Sequence, residues 1–201
     1  MPILWDSGLR SNDQHSYIVT NIMSVYFIGD PHLGHRNIAQ FRSFVPSTEV
    51  NTQMILDEWK SRITKNDLVF VMGDAAFDDF HLELLGELRG RKILIKGNHD
   101  DLASFSLQTR VFEEIHGMLR YKKCWLTHCP IHPDEMRRCV LNVHGHVHNQ
   151  TVRLPQTKLQ KFFRRPRVED PRYINTCVDY VYPRYGSVFM TLDQVKERIP
   201  T

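Results

Sequence analysis

The sequence predicts an α/β fold: an open sheet whose strand ends carry the functional loops, followed by a second sheet built from C-terminal strands. Three observations predict it. Short β-branched and aromatic runs alternate with segments of helical period. Each early run ends in a turn that presents a carboxylate, amide or imidazole, where open α/β sheets place their sites. Finally, 201 residues with 41% hydrophobic and 24% charged content suit one soluble domain with its own core.

In chain order, residues 25–28 (Val-Tyr-Phe-Ile) read as the first buried strand. A helix follows over residues 48–63, with Thr48 as N-cap and Ile55, Trp59 and Ile63 on one stripe. Residues 68–72 form the second strand, and residues 80–88 a shorter helix with Leu84, Leu85 and Leu88 turned inward. Residues 93–95 and 124–127 are the next strands, and residues 140–143, 173–178 and 187–191 belong to the second sheet. No internal repeat is present. Residues 1–22 are polar and aperiodic and read as a flexible leader or an appended extension, so the domain is assigned to residues 23–201.

Composition narrows the function. A net charge of +3 does not by itself imply a polyanion partner. The four cysteines, Cys124, Cys129, Cys139 and Cys177, match no disulfide framework or paired-thiolate zinc site. With no long apolar run, neither a membrane span nor a signal peptide is expected, and a reduced cytoplasmic setting is the default.

Five clusters carry the chemistry: Asp30-Pro31-His32, Gly73-Asp74, Gly97-Asn98-His99-Asp100, Thr127-His128 and Gly145-His146-Val147-His148. Singly they are ordinary turns or isolated histidines. In series they supply what a two-cation hydrolytic site requires: a carboxylate able to bridge, neutral imidazoles and further oxygen donors. Mixed nitrogen and oxygen ligands suit manganese first, with iron, zinc or nickel as alternatives. His144-Gly145-His146 is a competing register; the Gly-first reading selects His146 and His148, two apart and so on one face of a strand.

These clusters resemble those of the calcineurin-like metallophosphoesterases, in particular their small bacterial and phage-type members: Asp-x-His, Gly-Asp, Gly-Asn-His-Asp/Glu, His, and Gly-His-x-His. The resemblance runs from Met23 to Asp179 and implies two stacked mixed β-sheets flanked by helices. It implies that Asp30, His32 and His148 bind one metal, that Asn98, His128 and His146 bind the other, and that Asp74 bridges them. It further implies His99 as the general acid at the leaving oxygen, with Asp100 orienting its ring. A histidine beside two cations needs a carboxylate to keep a proton near neutral pH, and Asp100 is adjacent. The chain departs from that pattern at Pro31, which stiffens the first loop, and lacks the Asp-Arg-Gly element of protein phosphatases after Asp74.

Two further segments are candidates for substrate contact. His35, Arg36 and Asn37 follow the first cluster, although Asn37 could equally cap a short helix and Arg36 be simply exposed. The stretch 150–172 is an insertion rich in Lys and Arg, with Phe162 and Phe163 inside it; basic and aromatic residues together suit a nucleic-acid strand, and a solvated hairpin is the plainer reading. The expected activity is therefore a dinuclear phosphoesterase using a metal-bridging hydroxide, with a phosphodiester of a nucleotide or nucleic acid as substrate. The alternatives are a phosphomonoesterase, a non-catalytic scaffold, and a zinc module on Cys124, His128, Cys129 and His132.

Overall fold

A computed structural model describes residues 23–199, so the expectation for residues 1–22 lies outside the described residues. The first strand, β1 (Val25–Ile28), lies between β2 (Leu68–Val71) and a short later strand. Before β2 come α1 (Ile38–Phe41) and α2 (Thr48–Arg62); after it come α3 (Asp79–Gly86), β3 (Arg91–Ile95), α4 (Phe105–Val111) and β4 (Glu114–His116). Strands β5 (Met118–Tyr121), β6 (Cys124–Thr127), β7 (Leu141–His144) and β8 (Tyr173–Asn175) follow, with α5 (Lys158–Phe162) inside the insertion. The chain closes with α6 (Val178–Tyr185), β9 (Met190–Thr191) and α7 (Leu192–Lys196).

Two mixed sheets result. The first runs β4-β3-β2-β1-β9, parallel except for β9; the second runs β5-β6-β7-β8, parallel except for β5. Strand alternation divides the core into two layers. Val25, Phe27, Leu68, Phe70, Ile93 and Ile95 face Leu126, Leu141, Val143 and Ile174 of the second sheet. Ile28, Val69, Val71 and Leu94 face the helices and pack on Trp59, Leu82, Leu85 and Phe189. Because β1, β2, β6 and β7 all run so that their C-terminal ends share one edge of the sandwich, the loops leaving them meet there.

Several expectations shift at element ends. Ser47, not Thr48, caps α2, its side chain accepting from the Val50 N–H, while the Thr48 hydroxyl donates to the His35 carbonyl. Ser47 is one residue earlier and already extended, so it can reach the first free amide. The predicted stripe of Ile55, Trp59 and Ile63 is fully buried. Helix α3 starts earlier, capped by Asp78, and buries Leu82 and Leu85 with Leu88 just beyond its end.

Larger corrections concern the C-terminal third. Only Tyr173–Asn175 of the predicted 173–178 segment is strand; the β-forming run Val178-Asp179-Tyr180-Val181-Tyr182 is helical in α6. Tertiary packing overrides propensity there, because Val178 and Val181 fill the cores beneath the sheets. Strand β9 is limited to two residues and pairs antiparallel with β1, so it belongs to the first sheet and not the second. Trp59 anchors the helical layer: it is fully buried, its indole N–H donates to the Arg89 carbonyl at 2.8 Å, and its ring meets Phe189 edge-on. Trp59→Ala should lower unfolding free energy by about 3–5 kcal/mol, read from urea denaturation of the metal-free protein.

Candidate metal centre

Turns at the strand ends set the ligand positions. Asp30, His32, Asp74, His146 and His148 all have positive φ, between 50° and 69°. Left-handed backbone is costly for such residues, on the order of 1–3 kcal/mol each, and persists where surroundings impose it. Here the loops hold one another: Asp30 N–H donates to the Gly73 carbonyl, His32 N–H to the Asp74 carbonyl, and Gly145 N–H to the His128 carbonyl. His146 and His148 therefore reach the centre from a left-handed loop beyond β7, and not from one face of a strand as expected. His144, the competing register, is the last residue of β7 and is wholly buried; burial pushes its imidazole down to about 4. Gly73, at φ +91°, could not carry a side chain, since a Cβ there would collide with the His128 ring.

The structure brings the seven candidate ligands together in two groups. In the first, ligand atoms of Asp30, His32 and His148 all lie within 4.8 Å of one another. His32 Nε2 is 3.4 Å from Asp30 Oδ1, and the His32 and His148 rings stack at 5.2 Å. In the second, His128 Nε2 lies 3.0 Å from Asn98 Oδ1 and 3.2 Å from His146 Nδ1. Asp74 stands between them, Oδ2 being 3.8 Å from His32 Nε2 and 3.6 Å from His128 Nε2. Its Oδ1 accepts from the His99 N–H at 2.8 Å.

The donor set fits divalent cations. Asp30 Oδ1 and both His32 ring nitrogens are buried with no hydrogen-bond partner, a deficit of about 1–3 kcal/mol per group in a folded protein. His128 Nδ1 donates to the Met72 carbonyl at 2.8 Å, which leaves Nε2 as a lone pair aimed at the Asn98 oxygen. Two acceptors in that position repel, and a cation held by both would offset that repulsion. Burial alone would raise the Asp30 carboxyl, but His32, His128 and the His146 N–H pull it well below the usual carboxylate range. Burial and neighbouring His128 push the His146 imidazole down, toward the neutral form a metal takes. Cys129, weighed from sequence only as part of an alternative zinc module, has its sulfur within 4.8 Å of the His128 and His146 nitrogens. Its thiol is pushed up, first by burial and then by Asp74 and Asp30.

Two sequence expectations change. Asp100 makes no hydrogen bond to the His99 ring. Its carboxylate accepts from the N–H groups of Gly97 (2.6 Å), Ala75 (2.8 Å) and Asp74 (3.0 Å), binding the second and third motif loops together. Burial pushes that carboxyl up despite these bonds. The neighbour of the His99 ring is Phe77, at 5.2 Å and 30° between planes. His35 sits 5.6 Å from His32 and 4.4 Å from Phe77, while Arg36 and Asn37 are exposed. Asn37 occupies the N-cap position of α1 without a side-chain capping bond.

Sequence reading missed the supports behind the first group. Arg42, fully buried, donates to the carbonyls of Asp30 and Pro31, to Asn51 Oδ1 at 2.7 Å and to Asp179 Oδ2 at 2.9 Å. Asp179 in turn meets His148 Nδ1 at 3.1 Å, leaving Nε2 as the free nitrogen, the arrangement by which carboxylates orient metal-binding imidazoles. That hydrogen bond, opposed by burial, holds the His148 imidazole above its ordinary value. Cys177 Sγ lies 3.1 Å from Asp30 Oδ2, so the start of α6 touches two members of the group. No local pattern marks Arg42 or Asp179, because their partners are distant in the chain.

Comparison with known proteins gives the chain a family and a fold. The family model described as calcineurin-like phosphoesterase matches residues 23–196. An uncharacterized protein of Methanocaldococcus jannaschii is 30% identical over 134 residues, 64% of this chain and 71% of that one. The gene 66 protein of Mycobacterium phage L5 is 28% identical over 82 residues, 38% of this chain and 40% of the phage protein's length. A protein of unknown function from Aquifex aeolicus shares the fold, with a TM-score of 0.62 and 24% identity over 89% of this chain and all of that one.

Replacing Asp179 by Asn should lower the pKa of His148 in the metal-free protein, followed by NMR titration, because the raising partner is gone. It should also weaken metal binding at the first group by roughly 10–100-fold, measured by calorimetry.

Proposed function

We propose, from the premise that the chain belongs to the calcineurin-like phosphoesterase family, that it is a two-cation phosphodiesterase acting on nucleotides or nucleic acid. The observation that carries this reading is the convergence of six donors around Asp74, with buried polar atoms left unpaired between them. Asp30, His32 and His148 would hold one cation, Asn98, His128 and His146 the other, and Asp74 both. Manganese suits this mixed nitrogen and oxygen set, as do iron and zinc. Bound there, such ions supply a water of lowered pKa as nucleophile and neutralise charge on the phosphoryl oxygens.

The remaining tasks fall to the protein's own groups. His99 is exposed on the centre's rim, 5.9 Å ring to ring from His32, and carries the proton for the departing oxygen. Its backbone is fixed by Asp74 Oδ1 and its ring by Phe77. Arg36 is an exposed cation in a surface cleft that Phe77 also lines, placed to meet a phosphate flanking the one cleaved.

A diester on a chain of nucleotides, rather than a small monoester, is supported by the insertion. Its base is a narrow antiparallel bridge, Arg153 against Glu169, and its tip is α5, which carries Lys158 and Lys161 ahead of Arg164 and Arg165. Phe162 and Phe163 are 79% and 61% exposed and pack edge to face at 5.2 Å, ready to take bases on their free faces. Asn175 ties that base to the centre, donating to the carbonyls of His148 and Gln150. Arg172, in the same segment, is paired with Asp170 through two side-chain hydrogen bonds. Among the described residues no helix is long and apolar enough to cross a membrane.

With manganese, the protein should hydrolyse bis-p-nitrophenyl phosphate with a higher kcat/KM than p-nitrophenyl phosphate; the reverse order would make it a monoesterase. Replacing His99 by Ala should retain two metal ions per chain by elemental analysis and lower kcat roughly 10²–10⁴-fold. Loss of metal with that substitution would show that His99 is a ligand instead.

A further inference from the structure

Beside His99 the surface opens into a cleft of about 440 Å³, lined by His35, Arg36, Asn37, Phe77, Asp78 and Leu102. Phe77 is its inner wall. One ring stands 5.2 Å from His99, 5.2 Å from His32 and 4.4 Å from His35. Leu102 is 54% exposed, and Phe41, whose ring is 5.9 Å from His35, is 65% exposed. Phe77 itself is half-buried, and the exposed apolar faces of Leu102 and Phe41 next to a reactive centre mark a binding surface.

The cleft's place relative to His99 decides what it holds. A group that protonates the leaving oxygen lies on the leaving side of the phosphorus, opposite the attacking water. Whatever is attached to the leaving oxygen must then extend past His99 and over Phe77. The walls combine one aromatic plate, an apolar edge at Leu102, an amide at Asn37 and a guanidinium at Arg36. A lipid chain would leave the last two without purpose; a nucleoside uses all four, with its base on the plate and its next phosphate at Arg36. The carboxylate in the cleft, Asp78, is already engaged by the His81 N–H and ring, and so does not repel that phosphate at full strength.

We propose that Phe77 is the stacking platform of a subsite for the nucleoside on the leaving side of the scissile phosphodiester. This deepens the phosphodiesterase reading and rests on it. Stacking of one base on an aromatic side chain is worth roughly 5- to 150-fold in binding.

The test uses the manganese-loaded protein, thymidylyl-thymidine, and two analogues of that dinucleotide, each lacking one of its bases. Product analysis identifies the leaving side, since the other nucleoside keeps the phosphate. Phe77→Ala should raise KM for the intact dinucleotide within that 5- to 150-fold range. It should add almost nothing for the analogue without the leaving-side base, and Phe77→Trp should restore the intact value. As a binding readout, a phosphorothioate-linked dinucleotide with 2-aminopurine on the leaving side should be quenched by the natural protein and by F77W, not by F77A. An equal loss on all three substrates, confined to kcat, would mean that Phe77 only props the His99 ring and would overturn the proposal. So would an unchanged KM. Failure of the natural protein to cleave any dinucleotide while hydrolysing p-nitrophenyl phosphate would remove the diesterase reading itself.

Discussion

Lone pairs gathered between Asp30, Asp74 and the imidazoles repel one another, and the surrounding structure holds them together in spite of it. Asp30 Oδ1 and both His32 nitrogens are buried without a hydrogen-bond partner, and His128 Nε2 faces an oxygen at 3.0 Å. Five of the seven candidate ligands also sit on left-handed backbone. A folded protein tolerates such a concentration of strain and unpaired acceptors where something positive is to be bound. Two sheets with aligned strand ends, a helix entered at Cys177 and a buried guanidinium at Arg42 all serve to fix that arrangement.

The division of labour among carboxylates follows from their surroundings. Asp74 keeps one oxygen for the His99 backbone and leaves the other between His32 and His128. Asp100 spends both oxygens on backbone amides, so it sets the distance between the second and third motif loops. Asp179 lies between a guanidinium and an imidazole and passes the rigidity of Arg42 to His148. One residue type does three jobs because each copy meets a different set of partners.

What the sequence revealed was whatever is written locally. Strands β1, β2 and β3, the buried stripe of α2 and the strand-end motifs were legible, because period, turn chemistry and ligand type all occur within a few residues, whereas the short edge strand β4 carried no such signal. Helix α6 was not, since Val178, Tyr180 and Val181 favour strand on their own and are helical only because two cores need them. The place of β9 was equally hidden: two residues cannot announce which sheet they will join. Arg42 carries no local signal, because its burial depends on Asn51 and Asp179, nine and 137 positions away. Asp100 was given the wrong partner because adjacency to His99 in sequence carries no information about where a side chain points.

Crystals grown with manganese, measured at a wavelength where the metal scatters anomalously, test the central claim most directly. Two peaks are expected on either side of Asp74, one among Asp30, His32 and His148 and the other among Asn98, His128 and His146. A map without peaks there, or with a lone ion that leaves His32 and Asp30 Oδ1 uncontacted, would contradict it.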